Sequence, residues 1–172
     1  MADFNSLRRP SFFSGQLLTA DDLSLEQNYS REKQKRHNRT LHGFGIVSGL
    51  RVTLAGGRVV IEPGLALDCE GNELIVTTGQ PPVPLSAAGD HAYVNIRYSE
   101  TKEPDVPQPG SGQVIVESVC IDCSPTNGNR NHRHLRGRWL ACGMAHELTI
   151  AKLRREKTRW RVDRRYRPPL VK

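Results

Sequence analysis

The chain has 172 residues, a formal net charge of +7 and 37% apolar residues, which allows one domain with appendages and a modest core, some of whose surface is expected to be buried against other chains. No window reaches the ~18–20 uninterrupted apolar residues of a membrane-spanning helix, and Met1 to Asn5 is not a charged start leading into an apolar run, so no transmembrane segment and no standard export signal is expected. From Ile150 to Lys172 there are ten Lys or Arg against two acids, so this stretch alone carries more than the whole positive excess. Such a block suits nucleic acid, an anionic membrane surface or an acidic protein neighbour.

The opening run from Arg8 to Gln16 combines Pro10, Phe12, Phe13 and Gly15 without a period, and reads as an extended arm with Phe12 and Phe13 as apolar anchors. Thr19, followed three residues on by Asp22, is a capping signal, so a helix is expected from Ala20 to about Leu41 with Gly43 ending it. Along it, Leu23, Gln27, Ser30, Gln34, His37 and Leu41 follow one face, with apolar residues only at the two ends. A stripe this polar belongs to a helix that lies solvated on its own sheet or packs on a partner through hydrogen bonds; Leu23, Gln27, Tyr29, Gln34, His37 and Asn38, with Phe12 and Phe13, are the candidate interface residues.

After Leu41 the pattern changes to period two. Gly45–Leu54 and Arg58–Glu62 read as a hairpin around Ala55-Gly56-Gly57, and Leu65–Asp68 and Glu73–Val76 as short strands flanking a Cys69–Asn72 turn. A proline-rich stretch from Gln80 to Leu85 leads into the alternating strand His91–Tyr98; a loop from Glu103 to Gly112 precedes another strand, Val114–Ile121. Asp122 to Arg138 reads as a long polar loop. A last hairpin, Thr149–Leu153 with Trp160–Asp163 around Arg154–Thr158, ends in an extended basic tail. The expectation is a mainly β domain over residues 43–172, an antiparallel sandwich or barrel of about eight strands, preceded by an arm and polar helix over residues 1–42.

Gly43, Gly45 and Gly49 are not a dinucleotide fingerprint, because the spacing is too long and the helix precedes the glycines instead of following them. Cys120 and Cys123 form a C-x-x-C, with His132, His134 and Cys142 across the polar loop; a structural zinc, a disulfide and free thiols all remain open. A thioredoxin-type site is excluded because Pro125, Asn127 and Gly128 forbid the helix that would lower the thiol pKa. No nucleophile elbow, H-E-x-x-H or paired acids appear, so no catalytic residues are nominated. Arg154, Arg155, Arg159, Arg161, Arg164, Arg165 and Arg167 form a basic patch interleaved with Trp160 and Tyr166. Nucleic-acid binding is its sharper reading, and a strand with one buried and one solvated face the favoured one.

The run Arg9-Pro10-Ser11-Phe12-Phe13-Ser14-Gly15-Gln16-Leu17-Leu18-Thr19-Ala20-Asp21-Asp22-Leu23, then Glu26-Gln27-Asn28-Tyr29, His37-Asn38-Arg39 and His42-Gly43-Phe44-Gly45-Ile46-Val47-Ser48-Gly49-Leu50, resembles a family encoded in bacterial gene clusters for contractile injection systems. Pro63 to Asp68, Gly71-Asn72-Glu73 and the closing Val162 to Leu170 are similar too. The resemblance covers the first half densely and the tail thinly, and the segment from Glu100 to Ala145 has no match. It implies a non-enzymatic baseplate or tail-peripheral component of a phage-tail-like particle. Such a protein would be assembled in the cytoplasm against other particle subunits or further copies of itself, and released or held at the cell surface with the particle.

Overall fold

The computed structural model describes residues 6–85, 89–104, 113–131 and 146–171. Helix α1 spans Ala20–His37. Its start is a complete capping box: Thr19 accepts from the Asp22 amide at 3.2 Å while Asp22 accepts from the Thr19 amide at 3.0 Å. The Thr19 hydroxyl, donating to Asp22 Oδ2 at 2.7 Å, and then the Thr19 amide hold the Asp22 carboxyl below its usual range, because both favour the ionised form. The helix then widens into a π turn, Asn38–His42, closed at Gly43. The expected helix to Leu41 is therefore α-helical only to His37. No helix among the described residues is long and apolar enough to cross a membrane.

Ten strands follow among the described residues: β1 Gly45–Gly49, β2 Val52–Ala55, β3 Arg58–Ile61, β4 Gly64–Leu67, β5 Glu73–Val76, β6 Val83–Pro84, β7 His91–Pro104, β8 Gln113–Ser124, β9 Leu148–Glu156 and β10 Arg159–Val162. They pair antiparallel in three sheets, ordered β1-β4-β5, β2-β3-β6 and β10-β9-β7-β8. The expected strand Gly45–Leu54 is thus two strands belonging to different sheets. Gly49 and Leu50 both take a left-handed backbone, at φ 64° and 57°, and turn the chain from one sheet to the other.

One core serves all three sheets. Ile46, Val52, Val59, Leu74, Val76, Val94, Ile96, Leu148, Ile150 and Leu153 are buried together, each contributing about 1.5–3 kcal/mol by leaving water. The tail closes the body: the Ile46 amide donates to Pro169 O at 2.9 Å and the Val171 amide to Ile46 O at 3.1 Å. Beside the core, fully buried Asn95 and Thr149 carry a polar network. Thr149 Oγ1 donates to Asn95 Oδ1 at 2.6 Å, and Asn129 Nδ2 donates to Thr149 O and Tyr166 Oη. These bonds fasten the short 3-10 turn Gly128–Asn131 and the tail onto β9.

Candidate assembly surface

The arm lies outside the core. A local turn holds it, with the Phe13 amide donating to Gln16 Oε1 at 3.3 Å and the Gln16 amide to Phe13 O at 3.2 Å. Its apolar side chains stay in solvent: Phe13 is 72% exposed and Leu17 86%, and Phe12, Leu18, Leu23 and Leu25 are also exposed. Helix α1 has no buried residue. Apolar groups are thus gathered densely along one segment and left exposed, more than the scattered surface apolar residues of an ordinary globular domain.

The C-terminal end of the helix is, in contrast, committed to its own β body. Asn38 is buried and donates from Nδ2 to Gly71 O at 3.0 Å, while accepting from Gln34 Nε2 at 3.3 Å. Arg39 donates to Glu70 O, Arg31 approaches Glu100 at 3.6 Å, and the Lys35 ammonium lies 5.8 Å from the centre of the Tyr98 ring. Of the candidate interface residues, Asn38 and Gln34 are therefore engaged within the chain, and Asn38 is buried. Tyr29 is half-buried beneath Lys33, and His37 faces His42 at 3.3 Å. Leu23 and Gln27 remain exposed.

A second exposed element is the outer half of the β7–β8 hairpin. Among the described residues only His91–Ile96 of β7 pair with β9, so from Arg97 outward the two strands form a ribbon with no third described strand on the β7 side. Val114, Ile115 and Val116 are exposed there, although an isolated two-stranded ribbon is at best marginal in water.

Cys120 and Cys123 point to opposite faces of their strand. Cys120 and Cys123 lie on an unbroken stretch of β8, opposite Arg97 and Val94, and residues three apart on a strand point to opposite faces. Cys120 accepts from Arg97 Nη2 at 3.3 Å on one face. Cys123 packs with Val119 and Ile121 toward the core on the other, where burial and the neighbouring Asp122 push its thiol up to about 11. No cluster of metal-binding side chains occurs among the described residues; His132, His134 and Cys142 lie outside them.

Sequence reasoning missed a different cysteine arrangement. Cys69 Sγ lies 2.8 Å from His146 Nδ1, and His146 Nε2 lies 2.7 Å from Glu70 Oε1, across 77 positions of sequence. Since an ionised carboxylate can only accept, Nε2 carries the proton toward Glu70 and Nδ1 faces the thiol. The order thiol, imidazole, carboxylate is that of an activated nucleophile. The turn's own amides, however, are spent: Glu70 and Asn72 donate to Asp68 Oδ1, and Gly71 to Asp68 O. Those three amides are turned back onto Asp68, and the trio links this turn to the segment entering β9.

The basic residues lie along β9, β10 and the tail. Arg159 and Arg161 are exposed while Trp160 and Val162 pack against the core, and Glu156 ion-pairs with both Arg154 and Arg161. Arg155, Arg164, Arg165 and Arg167 are also exposed. Arg154, Arg161, Arg164 and Arg165 border a groove between β10 and β2, whereas Arg155, Arg159 and Arg167 do not line it.

The fold is similar to that of solved type VI secretion baseplate proteins. Chains in a type VI secretion system TssK-TssF-TssG baseplate subcomplex and in a type VI baseplate complex superpose with TM-scores of 0.58 and 0.59, each at 13% identity. The crystal structure of TssK superposes with 0.54 at 11% identity. In each case 96% of this chain is covered, against 62%, 42% and 42% of the respective neighbour, so the chain spans less than two thirds of their length. No protein-family model and no curated protein matches the sequence.

Proposed function

We propose that the chain is a structural assembly subunit of a phage-tail-like contractile injection particle, at its baseplate or tail periphery, and that it has no reaction centre of its own. The observation that carries this reading is the uncovered arm. Phe12, Phe13, Leu17 and Leu18 stand in solvent ahead of a helix that buries nothing, while the β body behind them has a complete core. The likeness of the fold to type VI baseplate components supports the same role. In this reading the β body is a rigid platform, and the arm and the first turns of α1 grip a neighbouring subunit, or a second copy, of a particle assembled in the cytoplasm.

The deciding experiment removes residues 1–18 and leaves the capping box intact. The shortened chain should keep its thermal unfolding transition yet no longer co-sediment with particles. Undiminished incorporation of the shortened chain would overturn the proposal.

A further inference from the structure

His37 and His42 stand at the two ends of the turn that closes the helix, and their rings face one another: Nε2 lies 3.3 Å from Nε2, with the ring centres 5.2 Å apart. In an α-helix, at about 3.6 residues per turn, residues five positions apart point about 140° apart around the axis. The π turn Asn38–His42, closed by the Gly43 amide on Asn38 O at 3.0 Å, widens the coil by one residue and brings the two rings to one side.

The backbone that carries them is held in place. Asn38, between the two, is buried and bonded to Gly71 O, and the Thr40 hydroxyl donates to Arg36 O at 2.6 Å. Both histidines are exposed, so an ion can reach them from solvent. Two N–H groups do not point at one another, so at least one of the facing nitrogens presents a lone pair.

The distances fit a chelate. Two imidazole nitrogens, each about 2.0–2.1 Å from a tetrahedral zinc ion, stand about 3.3–3.4 Å apart, and their ring centres about 5.1–5.3 Å apart. A straight N–H···N bond of the observed length would set the centres about 5.6 Å apart. A square-planar ion would draw the nitrogens in to about 2.8–3.0 Å. Both observed separations match the tetrahedral case. The charge of an ion is also favoured here, because the carbonyl end of a helix carries partial negative charge. Two of the neighbouring cations are engaged elsewhere: Lys35 lies over the Tyr98 ring and Arg39 donates to Glu70 O.

We propose that His37 and His42 chelate a zinc ion through their Nε2 atoms at the end of α1, with water in the two remaining positions. The site is a pair of ligands on the surface, open where a structural zinc centre is closed by four protein donors. It does not depend on membership of an injection particle, because both ligands and the turn that joins them lie within the chain.

The test follows the histidine rings of the isolated full-length protein by proton–nitrogen correlation NMR while zinc is titrated to excess. The Nε2 signals of His37 and His42 should move together along one saturation curve, since one ion holds both, and magnesium, which prefers oxygen ligands, should leave them in place. In His37→Gln or His42→Gln, whose exposed side chains leave the fold intact by circular dichroism, zinc should bind the remaining ring at least about tenfold more weakly, because the chelate is lost. Two independent curves in the parent, no movement of either ring with zinc, equal movement with magnesium, or undiminished binding at the remaining ring of either variant would each overturn the proposal.

Discussion

Asn38 Nδ2 donates a 3.0 Å hydrogen bond to the carbonyl of Gly71, joining the end of the polar helix to the turn between β4 and β5. The fit is close because Gly71 has no side chain: a Cβ there would fall 2.1 Å from Lys35 O, and the φ of +90° disfavours any other residue. A helix of this length is marginal alone, so its stability depends on this joint. Asn38→Ala should cost about 1–3 kcal/mol of docking free energy by stranding the Gly71 carbonyl. Gly71→Ala should cost at least a similar amount, since the left-handed strain alone is about 1–3 kcal/mol. Hydrogen exchange within α1 should accelerate in both variants while the amides of β7 and β9 stay protected. Unchanged protection of α1 would show that the helix is held elsewhere.

The Asn95–Thr149 pair supports a second expectation. Both side chains are fully buried, and the Thr149 hydroxyl is the donor to Asn95 Oδ1 at 2.6 Å. Thr149→Val keeps the volume and removes the donor, which leaves the amide oxygen unsatisfied at a cost of about 1–3 kcal/mol. Each kcal/mol lowers Tm by roughly 2–4 °C in a domain of this size, so a thermal melt reads the effect directly. A Tm equal to that of the parent would mean that water reaches the site.

How far the sequence disclosed these features depends on how local each one is. The capping box of Thr19 and Asp22, the Gly56-Gly57 hairpin and the Cys69–Asn72 turn were legible because neighbouring residues determine them. The break at Leu50 was not, since a leucine in the left-handed region is held there by the sheets on either side. Pro104 is expected in a loop and Val83-Pro84 in a proline-rich stretch, yet both lie in strands: proline is tolerated at Pro104 because, among the described residues, β7 has no partner on its other side there. C-x-x-C spacing suggested a shared ligand, but the β8 backbone turns the two thiols apart. The contact of Cys69 with His146 spans too much sequence for any spacing rule.

The Cys123 thiol gives a pH expectation. Its pKa is pushed up to about 11 from an ordinary value of 9.0, mainly by burial, so between these values the folded chain keeps a proton that the unfolded chain releases. Stability from this group is complete below pH 9 and is lost as pH rises toward 11. Lysines and tyrosines titrate in the same window, so the informative quantity is a difference: urea unfolding of the parent should weaken more steeply between pH 9 and 11 than that of Cys123→Ala. Equal slopes would place the thiol in contact with water. At pH 8 the folded protein should also alkylate at Cys123 far more slowly than the urea-unfolded chain.

The arm offers the sharpest separation of stability from assembly. Phe13 and Leu17 are 72% and 86% exposed, so Phe13→Ser and Leu17→Ser should change the stability of the isolated chain by no more than about 0.5 kcal/mol. If a neighbouring subunit covers these side chains, each loses about 1.5–3 kcal/mol of burial on substitution. Together they should lower affinity for that neighbour by at least about a hundredfold. Paired measurements of Tm and of co-sedimentation with particles test both halves at once. Loss of co-sedimentation at constant Tm is the expected result. A Tm lowered by several degrees would instead show that the arm packs on its own chain, and it would remove the apolar surface on which the assembly role rests.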